Sequence, residues 1–249
     1  MKQRACHVKI FAATLPRMKC VVTAGPTYEP LDEVRRLTNF STGKLGTELA
    51  RFLTGQGHET ILLLGYYAIH RADPKARIVQ TFTTTADLRA RLQALAAPDV
   101  GAVFHAAAVN DFTFGGVWAQ TPGGELVRCG ERKIPTRAGR LLAELEPTPK
   151  IIGDLRDWFP QACLAGWKYE LDGDRSGVIQ VARQQIAKNR TNACVVNGAA
   201  YGNGFGLVTA EGQCEHFEDA PALYLALARL IEPSAGAAGK NPTGPCWEK

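Results

Sequence analysis

The sequence predicts an α/β layer fold, a parallel sheet flanked by helices, with an inserted β excursion. Two observations carry the sheet. Short continuous apolar runs recur along the chain, as strands buried on both faces require. Between them lie stretches with apolar residues at helical spacing. A third observation marks the excursion: after Asn110 the pattern loosens into a Gly-rich stretch, Phe112–Pro135, that belongs to neither period.

In chain order, Cys20–Thr23 is a strand closed by the turn Ala24-Gly25-Pro26-Thr27. Thr42–Leu53 is a helix, with Leu45, Leu49, Phe52 and Leu53 on one face and Ser41 or Thr42 placed to cap it. Thr60–Leu64 and Ile78–Phe82 are the second and third buried strands, Thr85–Ala96 a helix, and Val100–Ala106 the next strand. Within the excursion Glu125–Cys129 reads as a strand. Arg140–Leu145 is a strand, Lys150–Trp158 a helix, Ala162–Trp167 a strand, Ser176–Lys188 a helix and Ala193–Val196 a strand. Leu207–Ala210 and Gln213–Phe217 flank Glu211-Gly212, a hairpin signal. Ala220–Ile231 closes the domain as an amphipathic helix. Residues 1–17 lack periodicity and read as a disordered extension, with Met18 a candidate start. Residues 233–249 are rich in Pro, Gly and Ala and read as a disordered tail. One domain, 18–232, is expected between them.

Composition excludes several classes. The chain is 45% hydrophobic, enough for a buried core. No apolar stretch nears the ~20 residues of a membrane span. There are 29 Lys and Arg against 24 Asp and Glu, but residues 1–19 hold five of the cations and no acid, so the remainder carries 24 of each. The folded part has no basic excess, and no nucleic-acid partner is expected. Seven scattered cysteines without a Cys-x-x-Cys point to reduced thiols and a cytoplasmic location.

Familiar motifs fail where they are tried. A dinucleotide site would carry Gly-x-Gly-x-x-Gly after the first strand, where this chain has Thr23-Ala-Gly-Pro-Thr27. No Tyr-x-x-x-Lys pair exists, so an NAD(P)-dependent oxidoreductase is disfavoured. Gly43-Lys44 is not a P-loop, because Thr38 and Leu45 stand where Gly and Ser/Thr are needed. Even so, Asn39-Phe-Ser-Thr-Gly-Lys-Leu-Gly46 opens a helix. Its small residues suit either an anion at a helix N-terminus or close helix–sheet packing. The five histidines supply no metal set, and His105, at a strand end, reads as a satisfied polar contact. Asp111 follows Ala106-Ala-Ala at a strand's carboxyl end, placed to orient a ligand or to cap a turn. Lys133 lies in the excursion, placed to reach over a ligand or simply to be solvated.

Together the pieces Thr23-Ala-Gly-Pro-Thr-x-Glu-Pro-Leu-Asp, Thr38–Gly46, Ala106-Ala-Ala-Val-Asn-Asp111-Phe, Arg132-Lys-Ile, Ala165-Gly-Trp-Lys168, Lys188-Asn, Val195-Val-Asn197 and Gly204-Phe-Gly206 occur in order. The chain resembles the phosphopantothenoylcysteine synthetase (phosphopantothenate–cysteine ligase) family over residues 19–232. It resembles the stand-alone form, without the flavin decarboxylase domain. The resemblance implies a Rossmann-like fold, a homodimer, Mg²⁺, and CTP or ATP as co-substrate, with no flavin. It implies joining of 4′-phosphopantothenate to cysteine through an acyl-nucleotidate.

By position in those motifs, Gly25, Ser41, Gly43 and Gly46 would hold the nucleotide phosphates, with Trp167, Lys168, Lys188 and Asn197 at the same nucleotide. Asn39, Ala107, Ala108 and Asp111 would hold phosphopantothenate, and Arg35 would reach in from a second subunit. Asn39 and Lys133 are the implied catalytic residues, the second as a flap cation that also touches the nucleotide. The metal ligands are not assigned. Pro135 and Thr136 replace the two lysines that follow Lys-Ile in bifunctional bacterial members, and Gln184 replaces a helix lysine. Those departures keep a non-catalytic metabolite-binding protein on the same fold as an alternative.

Overall fold

The computed structural model describes residues 17–70, 73–130, 132–135, 137 and 139–232. The expected tail, and the extension up to residue 16, lie outside the described residues, as does Thr136. The first half comprises β1 (Lys19–Ala24), β2 (Tyr28–Pro30), β3 (Arg36–Thr38), α1 (Lys44–Gly55), β4 (Glu59–Gly65), β5 (Ile78–Phe82), α2 (Thr85–Ala94) and β6 (Val100–His105). The excursion supplies β7 (Phe112–Gln120), β8 (Leu126–Arg128) and β9 (Arg140–Pro147). The second half runs α3 (Ile151–Trp158), β10 (Cys163–Tyr169), α4 (Arg175–Asn189), β11 (Ala193–Asn197), β12 (Phe205–Thr209), β13 (Cys214–Phe217) and α5 (Ala220–Arg229).

Eight strands form the main sheet in the order β13-β12-β11-β10-β6-β1-β4-β5. The six from β5 to β11 are parallel; β12 pairs antiparallel with β11, and β13 antiparallel with β12. Alternate strand residues feed opposite layers. Cys20, Val22, Ala24, Leu62 and Phe104 pack beneath α1 and α5, with Leu49 and Leu53 of α1 fully buried. Val21, Ile61, Leu63, Val103 and Leu164 pack beneath α2 and α3, and Cys194, Val196 and Val208 beneath α4. Each fully buried Leu contributes about 1.5–3 kcal/mol. The result is the expected doubly wound, Rossmann-like sandwich.

Three features depart from expectation. Ile78–Phe82 is a strand, but at the sheet edge, with Ile78 39% and Val79 48% exposed instead of buried on both faces. The cap of α1 is Gly43 in the left-handed region, not Ser41 or Thr42; Thr42 Oγ1 instead accepts the Lys44 N–H at 3.2 Å. The excursion is a three-stranded antiparallel sheet, β8-β7-β9, whose longest partner β7 had no alternating signal. Its register breaks at Gly115-Gly116, a bulge that the pattern of a regular strand does not contain. A separate ribbon, β2-β3, stands over the carboxyl end of β1. Glu29, 7% exposed, ties it down by accepting the Thr85 N–H at the start of α2, at 2.9 Å.

Candidate active site

Strand order reverses between β1 and β6, so the loops leaving their carboxyl ends diverge and open a crevice. Those loops continue the ladder beyond the sheet. The Ala106 N–H donates to Thr23 O at 3.2 Å, Ala108 N–H to Gly25 O at 3.0 Å, and Thr27 N–H to Ala108 O at 3.1 Å. Ala107 N–H is taken by Thr23 Oγ1 at 3.1 Å. The backbone donors of Ala107 and Ala108 are therefore spent, and what these residues offer a ligand is room.

Gly25 and Gly43 have φ of 81° and 78°, where glycine alone is unstrained. A Cβ on them would stand 2.8 and 3.0 Å from the Ala68 methyl. A Cβ on Gly46 would meet Ala24 Cβ at 2.6 Å and Thr23 O at 2.9 Å, so Gly46 lets α1 lie directly on β1. Packing thus accounts for all three glycines. The anion-suited feature that remains is the N-terminus of α1, whose first-turn N–H groups have no helix carbonyl to pair with. Ser41 is half-buried just before it.

Asn39 leaves β3 toward the same crevice, and its Nδ2 donates to Ala108 O at 3.3 Å. Asn110, which the sequence did not single out, is the hub beneath. It is 3% exposed. Its N–H donates to Thr27 Oγ1 at 2.8 Å and its Nδ2 to Leu37 O at 3.0 Å, which fixes the ribbon that carries Asn39. Thr148 Oγ1 donates to Asn110 O, and the Thr148 N–H to Asp111 O at 2.9 Å. Asp111 itself is exposed and paired with Lys150, another residue the sequence did not mark.

Lys133 is exposed, but its neighbours are held. Asp32 accepts the Ile134 N–H at 3.2 Å, Arg35 donates to Ile134 O at 2.7 Å, the Glu33 N–H donates to Arg132 O at 3.0 Å, and Arg132 pairs with Glu33. Arg35 also pairs with Asp32, whose carboxyl it holds well below the usual carboxylate range. The turn between β2 and β3 is thereby a clasp on the flap, and the ribbon links Lys133 at one end to Asn39 at the other. Arg35 is engaged within its own chain.

Trp167 and Lys168 near the end of β10, and Asn197 at the end of β11, lie along the same carboxyl edge. Lys168 Nζ stands 3.5 Å from Glu170. Lys188 is not brought to them. It is exposed in the last turn of α4, which leads into the opposite end of β11.

His105 is the satisfied contact expected, its Nδ1 2.9 Å from Thr23 Oγ1. Burial pushes its pKa down to about 4. The unfolded chain takes up this proton near pH 6.5 and the folded one does not, so stability falls as pH drops from about 6.5 toward 4. Urea unfolding at pH 5 should show about 2 kcal/mol less stability than at pH 7.5, and His105→Gln should remove most of that difference. Among the described residues no three His, Cys, Asp or Glu gather as a metal site. Nor is any helix there long and apolar enough to cross a membrane.

Fold and crevice together define a doubly wound α/β protein with an anion-suited crevice at its switch point. The family described as "DNA/pantothenate metabolism flavoprotein C-terminal domain" matches residues 15–219, and the chain belongs to that family. It is 29% identical over 190 residues to the coenzyme A biosynthesis bifunctional protein CoaBC of Thermococcus kodakarensis, covering 76% of this chain and 43% of that protein. It is 31% identical over 200 residues to the Bacillus subtilis protein of the same name, covering 80% and 45%. The chain spans about half the length of these curated relatives. Among solved structures, the DNA/pantothenate metabolism flavoprotein from Streptococcus pneumoniae aligns with a TM-score of 0.74 at 24% identity, over 86% of this chain and 98% of that one. That likeness supports the fold.

Proposed function

We propose that the chain is a nucleoside-triphosphate-dependent ligase that joins 4′-phosphopantothenate to L-cysteine in coenzyme A biosynthesis. A carboxylate oxygen of phosphopantothenate attacks the α-phosphorus of CTP or ATP, and pyrophosphate leaves. The cysteine amine then attacks the acyl carbon, loses a proton and expels the nucleoside monophosphate. The observation that carries this reading is the meeting of the Asn39 amide and the Ala108 carbonyl at the switch point, beside the α1 N-terminus, in a chain of this family.

In this scheme the α1 N-terminus, with Gly25, Ser41, Gly43 and Gly46, takes the triphosphate, and Trp167, Lys168 and Asn197 extend the nucleotide site along the edge. Asn39, Ala107, Ala108 and Asp111 bound the acyl substrate. Asn39 offers neutral donors to the acyl group, and Lys133 brings a cation to the phosphoryl charge. Mg²⁺ commonly binds through one or two carboxylates together with substrate phosphates. Asp111 is paired with Lys150, so no Mg²⁺ ligand is assigned among the described residues, and the ion would be held chiefly by the substrate phosphates, whose charge it would neutralise. The unpaired cysteines of the described residues agree with a cytoplasmic enzyme.

The scheme also includes a homodimer, with Arg35 near the partner's site. On the excursion sheet Leu126, 49% exposed, and Leu142, 39% exposed, share one face by strand alternation, an apolar patch suited to a second copy, while Val127 and Leu145 lie on the other face. Leu142→Glu should convert the dimer to monomer in light scattering; an unchanged dimer would place the interface elsewhere. The function is tested by pyrophosphate release with Mg²⁺, phosphopantothenate and cysteine, with CTP and ATP supplied separately. Release that needs phosphopantothenate and yields phosphopantothenoylcysteine supports it, and binding without release would leave a metabolite-binding protein.

A further inference from the structure

Lys150 occupies an unfavourable place for a cation. It is the N-cap of α3, in extended conformation and with no side-chain cap, at the end where the helix dipole is positive. Thr148, two residues earlier, is 7% exposed and bonded twice to the Asn110–Asp111 segment, once to each carbonyl. The two segments are therefore stitched together, and the stitch brings the Lys150 ammonium onto the Asp111 carboxylate. The acid of that helix's own first turn, Asp154, is occupied by Arg89 at 2.9 Å and does not compete for Lys150.

Both partners are mostly exposed, 64% and 68%, so the pair adds little to folding. Its consequence is electrostatic and local. An unpaired carboxylate at this mouth would repel a substrate that carries both a phosphate and a carboxylate. We propose that Lys150 is a positioning residue for Asp111, fixing its carboxylate and cancelling its charge so that the crevice admits an acyl substrate bearing both a phosphate and a carboxylate. The inference rests on the ligase reading for the identity of that substrate.

The test is calorimetric binding of 4′-phosphopantothenate, without nucleotide, to wild type, Lys150→Met, Lys150→Arg, Asp111→Asn and the double variant Lys150→Met/Asp111→Asn. Lys150→Met should weaken binding about five- to tenfold at low salt, and the loss should largely vanish at 0.5 M salt, where screening is within a few ångströms. Lys150→Arg should restore binding to near wild type. In the Asp111→Asn background, removing Lys150 should add less than a twofold further loss. A Lys150→Met protein that binds like wild type would overturn the proposal, as would a loss of equal size in both backgrounds. A wild type that binds phosphopantothenate yet forms no amide would sink the ligase reading while leaving this coupling measurable; a wild type that does not bind it would sink both.

Discussion

Asn39→Ala should cut amide formation by about 10²–10³-fold in kcat, the loss typical of removing one preorganised donor from a developing oxyanion. The side chain already spends one Nδ2 proton on Ala108 O at 3.3 Å. Its second proton and its Oδ1 remain for a ligand, and neither carries a charge that would repel a phosphate. Pyrophosphate release in a single turnover should survive better than amide formation, so acyl-nucleotidate should accumulate. Asn39→Asp should be worse than Asn39→Ala, because it sets a carboxylate against anionic substrates. Unchanged turnover together with unchanged partitioning of the intermediate would remove Asn39 from the chemistry.

The second large effect is expected at Lys133. Lys133→Met should lower kcat by about 10²-fold, with smaller changes in KM, if the ammonium meets charge that grows in the transition state. The clasp formed by Asp32, Glu33 and Arg35 explains how an exposed lysine can be placed well enough to matter, since Arg132 and Ile134 on either side are both held. Asp32→Ala should therefore reproduce part of the Lys133→Met loss, together with faster hydrogen exchange at Ile134. Because Arg35 keeps Asp32 ionised to well below the usual carboxylate range, the clasp should persist at pH 5, where His105 already weakens the fold. A Lys133→Met protein with wild-type kcat would leave that residue a solvated surface lysine.

Some of this was legible in the sequence, and the reasons are physical. Strands such as Thr60–Leu64 and Val100–Ala106 announce themselves because both faces are buried, so every position is apolar. The ends of β2 and β3 do not, because three-residue strands rich in charge and proline carry no period. The bulge at Gly115-Gly116 broke the alternation that would have revealed β7. Asp111 and Lys133 stood out by position, at a strand's carboxyl end and in the excursion, but with a turn cap or simple solvation as equal readings, and Asn39 gained its role only through the family's motifs. Asn110, Lys150 and the flap clasp did not stand out at all. Their meaning lies in contacts across wide gaps, 99 residues from Arg35 to Ile134 and 102 from Asp32 to Ile134, which no local pattern encodes. The glycines show the opposite limit: the sequence suggested phosphate or packing, and Ala68, Ala24 and Thr23 supply a sufficient packing reason.

The most direct test of the central claim follows oxygen. Phosphopantothenate labelled with ¹⁸O in its carboxylate should be turned over with cysteine, Mg²⁺ and CTP or ATP, and the products weighed by mass spectrometry. Attack of the carboxylate on the α-phosphorus predicts one ¹⁸O in the nucleoside monophosphate and none in the pyrophosphate. Label in inorganic phosphate alongside a nucleoside diphosphate, or amide formed with unlabelled monophosphate, would contradict an acyl-nucleotidate and the site built around it.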